Sequence, residues 1–160
     1  MFGIFAGTYY WFPKMFGRMM NETLGKWHFA LTFLGVYATF MPMHWLGLTG
    51  NVRRYSSFPS DYMHGSLPLH RFITYSALFL GAAQLIFLVN LLWSRLRGPI
   101  APVNPWEATT LEWTTTSPPP FDNFGGVHPV VYRGPNEIGI PSPRGDYIMQ
   151  TDPPAATTAV

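Results

Sequence analysis

Two long stretches without charged side chains constrain the fold of this chain more than any other feature. Residues 27–52 contain no Asp, Glu, Lys or Arg, and residues 72–94 contain none either. The hydrocarbon core of a bilayer takes about 20 residues of α-helix, and both stretches reach that length. Neither stretch shows a clear polar stripe at helical spacing, which predicts lipid or other helices on all sides.

A third apolar stretch, residues 1–12, is too short to cross a bilayer. It is followed by Pro13 and Lys14, and it has neither a basic N-terminal region nor a small-residue cleavage site, so it does not resemble a signal peptide. We expect it to form the last three turns of a transmembrane helix, with an interfacial or buried helix as the alternative. The three helices are expected at about 1–20, 25–49 and 69–95.

The chain changes in character after residue 98. Residues 1–98 hold eight basic and two acidic side chains, giving a net charge of +6, whereas residues 99–160 hold two basic and six acidic ones, giving −4. Twelve of the 16 prolines lie in the second part, where they break any helix longer than a turn or two. We therefore expect a transmembrane part over residues 1–98 and an extended, Pro-rich tail over residues 99–160.

Composition excludes several classes of protein. Only 11% of the residues are charged, against roughly 25% in an average soluble domain, which argues against a disordered chain and against a nucleic-acid-binding protein. The absence of cysteine excludes disulfides, thiolate metal sites and covalent haem attachment within this chain.

The distribution of basic residues predicts the orientation. Short loops rich in Lys and Arg stay in the cytoplasm. Five basic residues lie on the side of the tail and three on the opposite side, so the tail is predicted to be cytoplasmic. The first set is Lys14, Arg18, Lys26, Arg95 and Arg97, and the second is Arg53, Arg54 and Arg71.

The adjacent arginines Arg53 and Arg54 (the arginine pair) lie on the side where basic residues are disfavoured, directly after an uncharged span. Arginine near a membrane is costly unless it is paired, and its planar fork suits carboxylate or phosphate groups. The surrounding loop offers Asp61 as its one acidic residue. Two interpretations remain open: side chains that extend to lipid headgroups, or a bound anion at the membrane surface.

The histidines do not form a recognisable metal site. His28 and His44 are sixteen residues apart on one expected helix, which separates them by about 24 Å, so they cannot share a metal. Each could supply one ligand, or could form a hydrogen bond between helices, and the second role is the more common in membranes. His64 and His70 are expected at the interface, and His128 has no companion. The sequence contains no H-x-H, H-E-x-x-H or paired-carboxylate pattern, so we predict neither a catalytic residue nor a metal ligand.

Several motifs occur in one order along the chain: YWFPKMFG at residues 10–17, GKWHF at 25–29, FMPMHWLGL at 40–48, RRY at 53–55, PWEATTLEW at 105–113 and SPPP at 117–120. Together they resemble the C-terminal part of subunit I of the haem-copper oxidases of the cytochrome c oxidase type, in particular its bacterial members. The resemblance covers about residues 2–122, with a looser similarity over 146–154.

The resemblance implies an all-α integral membrane protein, in which the chain supplies the end of the tenth helix and the whole eleventh and twelfth helices of a twelve-helix bundle. It also implies that Arg53 and Arg54 contact the propionates of two haems on the outer side of the membrane. The expected activity is that of the intact complex, which reduces dioxygen to water with electrons from cytochrome c and translocates protons across the bacterial cell membrane. Haem and copper are its cofactors, and its expected partners are membrane lipid, the remainder of subunit I, other oxidase subunits and cytochrome c, but no nucleic acid.

Two departures limit what the resemblance implies. The histidines that ligate iron and copper in the family lie upstream of Met1 in the family pattern, so the chain alone is expected to bind no cofactor and to show no turnover. We therefore expect a piece of a larger subunit, arising as a truncated gene, a split subunit or part of a longer reading frame. In addition, Asn51 and Val52 stand where a Met-Pro pair is common. The alternative to a piece of the oxidase subunit is a non-catalytic two-span membrane subunit or assembly factor of a respiratory complex.

Overall fold

A computed structural model of the chain describes residues 1–52, 65–135 and 148–153. Within these residues the fold is all helical, as predicted, and contains no named strand. Helix α1 spans Phe2–Phe16, helix α2 spans Glu22–Leu48 and helix α3 spans Leu67–Arg97, and a short 3₁₀ turn covers Leu111–Trp113. Helices α2 and α3 are long and apolar enough to cross a membrane, which confirms the two predicted spans.

The helix ends follow local chemistry. Helix α1 ends four residues before the expected position 20, because Gly17 adopts a left-handed conformation with φ 66°, and its N–H bonds to the Pro13 carbonyl at 2.8 Å. Helix α2 begins three residues before the expected position 25, because the Asn21 side chain accepts a hydrogen bond from the Leu24 N–H at 2.9 Å.

The chain divides into two compact units at different points from the expected division at residue 98. One unit holds residues 21–93, and the other joins residues 1–20 with the chain from Ser94 onward. The first part of the Pro-rich tail therefore packs with α1. The physical cause is a set of polar contacts from Lys14 and Tyr10 to the tail, described below.

Within residues 21–93, α2 turns its small and polar side chains inward. Its buried residues recur every three or four positions, as one face of a helix requires, and are His28, Thr32, Gly35, Thr39, Pro42 and Leu46. The large apolar side chains of α2, such as Phe29, Leu34 and Tyr37, are more than half exposed. This is the pattern of a membrane helix, in which small residues let helices approach closely while large apolar ones face lipid.

The closest approach of α2 and α3 occurs at Gly35. A Cβ atom added to Gly35 would lie 3.0 Å from the Leu80 Cβ and 3.2 Å from the Leu80 Cα. Both atoms are fixed by the α3 backbone, so a rotamer change of Leu80 would not relieve the contact. Glycine at position 35 therefore sets the distance between the two helices.

Near the other end of this interface, two asparagines form reciprocal bonds. The Asn90 side chain is fully buried; its Oδ1 accepts from the Asn21 N–H at 3.1 Å, and its Nδ2 donates to the Asn21 carbonyl at 2.9 Å. Asn90 thus satisfies backbone groups at the start of α2 that a bilayer would leave without water.

We predict that Gly35→Ala weakens the packing of α2 on α3. The added methyl group must push the helix backbones apart, and overpacking of this kind costs about 1–3 kcal/mol. The measurement is the free energy of unfolding of the protein in detergent. Gly47→Ala is the matched control, because nothing lies within 4 Å of a Cβ at that position of α2. Equal stability of the two variants would show that the helices do not meet at Gly35.

Candidate functional site

The arginine pair, Arg53 and Arg54, lies outside the described residues, and so does Asp61. The structure does describe the residues on both sides of that loop. These residues end α2 and begin α3, so they define where the loop carrying the pair starts and finishes.

Asn51 joins the end of α2 to the start of α3, in an arrangement that we name the loop clasp. Its Oδ1 accepts hydrogen bonds from Ser66 Oγ at 3.2 Å and from His70 Nε2 at 3.4 Å. Its Nδ2 donates to Thr49 Oγ1 at 3.0 Å, and its backbone N–H donates to the Leu46 carbonyl at 3.1 Å. The Asn51 side chain therefore joins the residues that follow α2 to the residues that begin α3.

His28 takes part in a polar contact between the two membrane-length helices. The His28 side chain is 2% exposed, and its Nε2 lies 3.2 Å from Gln84 Oε1 on α3. The Gln84 Nε2 donates to Thr32 Oγ1 and to the Leu80 carbonyl, both at 3.1 Å. This geometry supports the second role considered for His28, a hydrogen bond between helices. The interaction satisfies three polar side chains inside an otherwise apolar interface.

The sequence analysis did not identify Gln84 as the partner of His28. The composition of α3 could have suggested such a partner, because Gln84 and Asn90 are its two side-chain amides. Both amides form hydrogen bonds to α2 or to the residue that caps it. Which residue of α2 each amide would meet depends on the register of the helices, and no pattern within a single helix encodes that register.

The described residues do not offer a ligand set for iron or copper. No group of three or more His, Asp or Glu side chains converges within residues 1–52, 65–135 and 148–153. His44 Nδ1 lies 2.8 Å from the Phe40 carbonyl of its own helix, and it does not approach His28.

Lys14 anchors the tail to α1. Its side chain is 8% exposed, and its Nζ donates to the carbonyl oxygens of Val103, at 3.0 Å, and of Thr115 and Thr116. The ammonium group also lies 5.0 Å from the centre of the Trp113 ring. A buried ammonium group with several carbonyl partners and an aromatic face is well compensated, so Lys14 holds two parts of the tail together.

Tyr10 makes the second contact between α1 and the tail. Its hydroxyl accepts a hydrogen bond of 2.8 Å from the indole N–H of Trp113, and its backbone carbonyl accepts one of 2.9 Å from Trp106. The Tyr10 ring stacks on the Trp106 ring with centroids 6.2 Å apart. Trp113, the last residue of the PWEATTLEW motif, is 1% exposed and lies in the core of this unit.

These features define a segment of a helical membrane protein: two membrane-length helices joined by small and polar side chains, and a third helix covered by an irregular tail. The family described as "Cytochrome C and Quinol oxidase polypeptide I" matches residues 1–80. The chain belongs to this family, which confirms the resemblance found from its motifs.

Relatives from several bacteria carry consistent names. The alternative cytochrome c oxidase subunit 1 of Bradyrhizobium diazoefficiens is 45% identical over 94% of this chain and 26% of its own length. Cytochrome c oxidase subunit 1 of Synechocystis sp. is 48% identical over 87% of this chain and 24% of its length, and that of Bacillus subtilis is 42% identical over 78% and 20%. The chain thus spans about a quarter of the length of the curated relatives it matches, and it corresponds to their C-terminal part.

We predict that Lys14→Met loosens the tail. Methionine fills a similar volume but leaves three carbonyl oxygens without their donor, and a buried unsatisfied group costs about 1–3 kcal/mol. Cleavage by chymotrypsin after the buried Trp113 should become about tenfold faster, since local opening exposes the site.

Lys26→Met is the control for this experiment. Lys26 is also a helical lysine, near the start of α2, but its partner Glu22 is four residues away and both side chains are exposed, so the pair contributes little. If Lys14→Met and Lys26→Met are cleaved at the same rate, the carbonyl contacts of Lys14 do not hold the tail.

Proposed function

We propose that the chain forms the C-terminal part of subunit I of a cytochrome c oxidase. In the intact complex this enzyme reduces dioxygen to water with electrons from cytochrome c and translocates protons. The observation that carries the proposal is the agreement between the match over residues 1–80 and relatives that are named cytochrome c oxidase subunit 1.

The role of this part within the subunit is to support the site and not to ligate its metals. As the resemblance to the family implies, haem and copper are held by ligands from the remainder of subunit I. Without those ligands the chain alone has no turnover. Its partners are that remainder, the other oxidase subunits, membrane lipid and, for electron delivery, cytochrome c.

We assign Arg53 and Arg54 to the haem propionates. A guanidinium fork binds a carboxylate through two parallel charge-assisted hydrogen bonds, and two adjacent forks can hold carboxylates of two haems at the membrane surface. Asp61, the one acid of the loop, cannot neutralise both arginines. The loop clasp supports this assignment, because Asn51, two residues before Arg53, is tied to Ser66 and His70 on α3.

Replacing the arginine pair by Arg53→Met and Arg54→Met in the intact subunit tests the assignment. A positive charge beside a haem favours its reduced form, so its loss should lower the midpoint potentials of the haems, by roughly 60 mV for each tenfold change in the one-electron equilibrium. Turnover of the enzyme should fall together with the midpoint potentials. Redox titration followed by optical spectroscopy measures the potentials.

Arg71→Met is the matched control, because Arg71 is an exposed arginine on the same side of the membrane and is expected to leave the potentials unchanged. Unaltered potentials and turnover in the Arg53→Met, Arg54→Met variant would remove the propionate assignment but not the family membership.

We also propose that the complex resides in the bacterial cell membrane with the tail in the cytoplasm, because five basic residues lie on the tail side of the spans and three on the other. The chain lacks cysteine, so single cysteines can report the sidedness. In intact spheroplasts a membrane-impermeant maleimide should label Ser57→Cys and leave Val127→Cys, at an exposed position of the tail, unlabelled. The reverse labelling would overturn this orientation.

A further inference from the structure

The end of α3 meets the end of α1 through a short pairing of backbones. The Met19 N–H bonds to the Pro99 carbonyl at 2.9 Å, and the Ala101 N–H bonds to the Gly17 carbonyl at 3.0 Å. Gly98 lies at the crossing, where an added Cβ would lie 2.6 Å from the Met19 carbonyl oxygen. The pairing therefore requires glycine at position 98, and it brings Arg18 close to the last turn of α3.

Three arginines flank this crossing, and we name them the basic cluster: Arg18 follows Gly17, and Arg95 and Arg97 precede Gly98. Arg18 donates through Nη1 to the Gly98 carbonyl, next to Arg97 in the chain. The Arg95 guanidinium lies 5.2 Å from the centre of the Phe16 ring. Two of the three side chains are thus held in place by neutral groups of the same unit.

The basic cluster finds no acidic partner among the described residues. None of its three arginines forms an ion pair with a carboxylate in the part of the chain that the structure describes, whereas Lys26 is paired with Glu22 at 2.7 Å. Lys14, the cation in the last turn of α1, is committed to the carbonyls of the tail. Three arginines near one point of the fold without a paired carboxylate create a positive potential there, which favours a bound anion.

The surroundings of the basic cluster indicate the kind of anion. Leu96, between Arg95 and Arg97, is 70% exposed, and Ile100, three residues after Arg97, is 82% exposed. Helix α3 is long enough to cross a membrane, so its last turn lies at a membrane border. A ligand that matches both features has a phosphate group next to hydrocarbon chains.

The helix dipole of α3 offers a simpler explanation for the presence of Arg95 and Arg97 in its last turn. Cations in the last turn of a helix gain about 0.3–1 kcal/mol from this effect. It does not account for Arg18, which belongs to another helix end and is brought to the same place by the Gly98 crossing.

We propose that Arg18, Arg95 and Arg97 bind the phosphodiester headgroup of an anionic phospholipid, with Leu96 and Ile100 against its acyl chains. The guanidinium forks offer paired N–H donors to the phosphate oxygens. The lipid would then connect the end of α3 to the end of α1. This site depends on α3 crossing the membrane and does not depend on the haem-propionate assignment.

The test uses the intact membrane complex that contains the chain, extracted from membranes with an equimolar mixture of phosphatidylglycerol and phosphatidylcholine. Native mass spectrometry measures how much of each lipid the complex retains. Each basic residue near a membrane surface strengthens binding of anionic lipid about fivefold. Arg95→Gln, Arg97→Gln should therefore lower the retained ratio of phosphatidylglycerol to phosphatidylcholine by about 25-fold.

Two further variants make the result specific. Arg97→Gln alone changes an exposed side chain, so it preserves the fold and should lower the ratio about fivefold even if the double variant fails to assemble. Lys26→Gln removes one positive charge from the same side of the membrane, but from a cation that already has a partner, and it should leave the ratio unchanged.

Three outcomes would overturn the proposal. The first is a constant lipid ratio in Arg97→Gln. The second is an equal fall of the ratio in Lys26→Gln, which would show a bulk charge effect. The third is displacement of the retained phosphatidylglycerol by inorganic phosphate, which would show a site for free phosphate. The haem potentials should be unchanged in all of these variants, which distinguishes an effect on lipid binding from an effect on the arginine pair.

Discussion

The absence of water from the bilayer interior is the constraint on which the rest of the structure depends. A polar side chain in hydrocarbon must find its hydrogen bonds within the protein. Helices α2 and α3 meet this requirement by placing His28, Gln84 and Thr32 on their shared face. The close approach at Gly35 brings these groups within reach of one another and leaves the large apolar side chains for lipid or neighbouring helices.

The tail is held in a different way from α2 and α3, because many of its contacts with α1 involve backbone groups. Its prolines prevent helix formation, so many of its carbonyls need partners from elsewhere. Lys14 supplies donors to three of them, and Tyr10 accepts from two tryptophans. The last turns of α1 and the first part of the tail thus form one unit, although about ninety residues of chain separate them. This unit also presents the basic cluster at the end of α3.

The sequence predicts local features of this fold well and distant contacts poorly. The two charge-free stretches predicted α2 and α3, since length and lack of charge are properties of each helix alone. The packing of the tail on α1 was not predicted, because the sequence does not show that the carbonyls of Val103, Thr115 and Thr116 lie beside Lys14. The motifs predicted the family, and the match over residues 1–80 confirms it. The roles of Arg53 and Arg54 stay a prediction, because both lie outside the described residues.

The central claim is that this chain works as the C-terminal part of a haem-containing oxidase subunit. The most direct measurement is the reduced-minus-oxidised optical spectrum of the complex that co-purifies with the chain through an affinity tag. The account predicts haem absorption bands in that complex, together with peptides of an oxidase subunit I that carries the metal ligands. A tagged chain that purifies from respiring cells in a membrane complex without haem would contradict the claim, and would favour a non-catalytic two-span subunit or assembly factor.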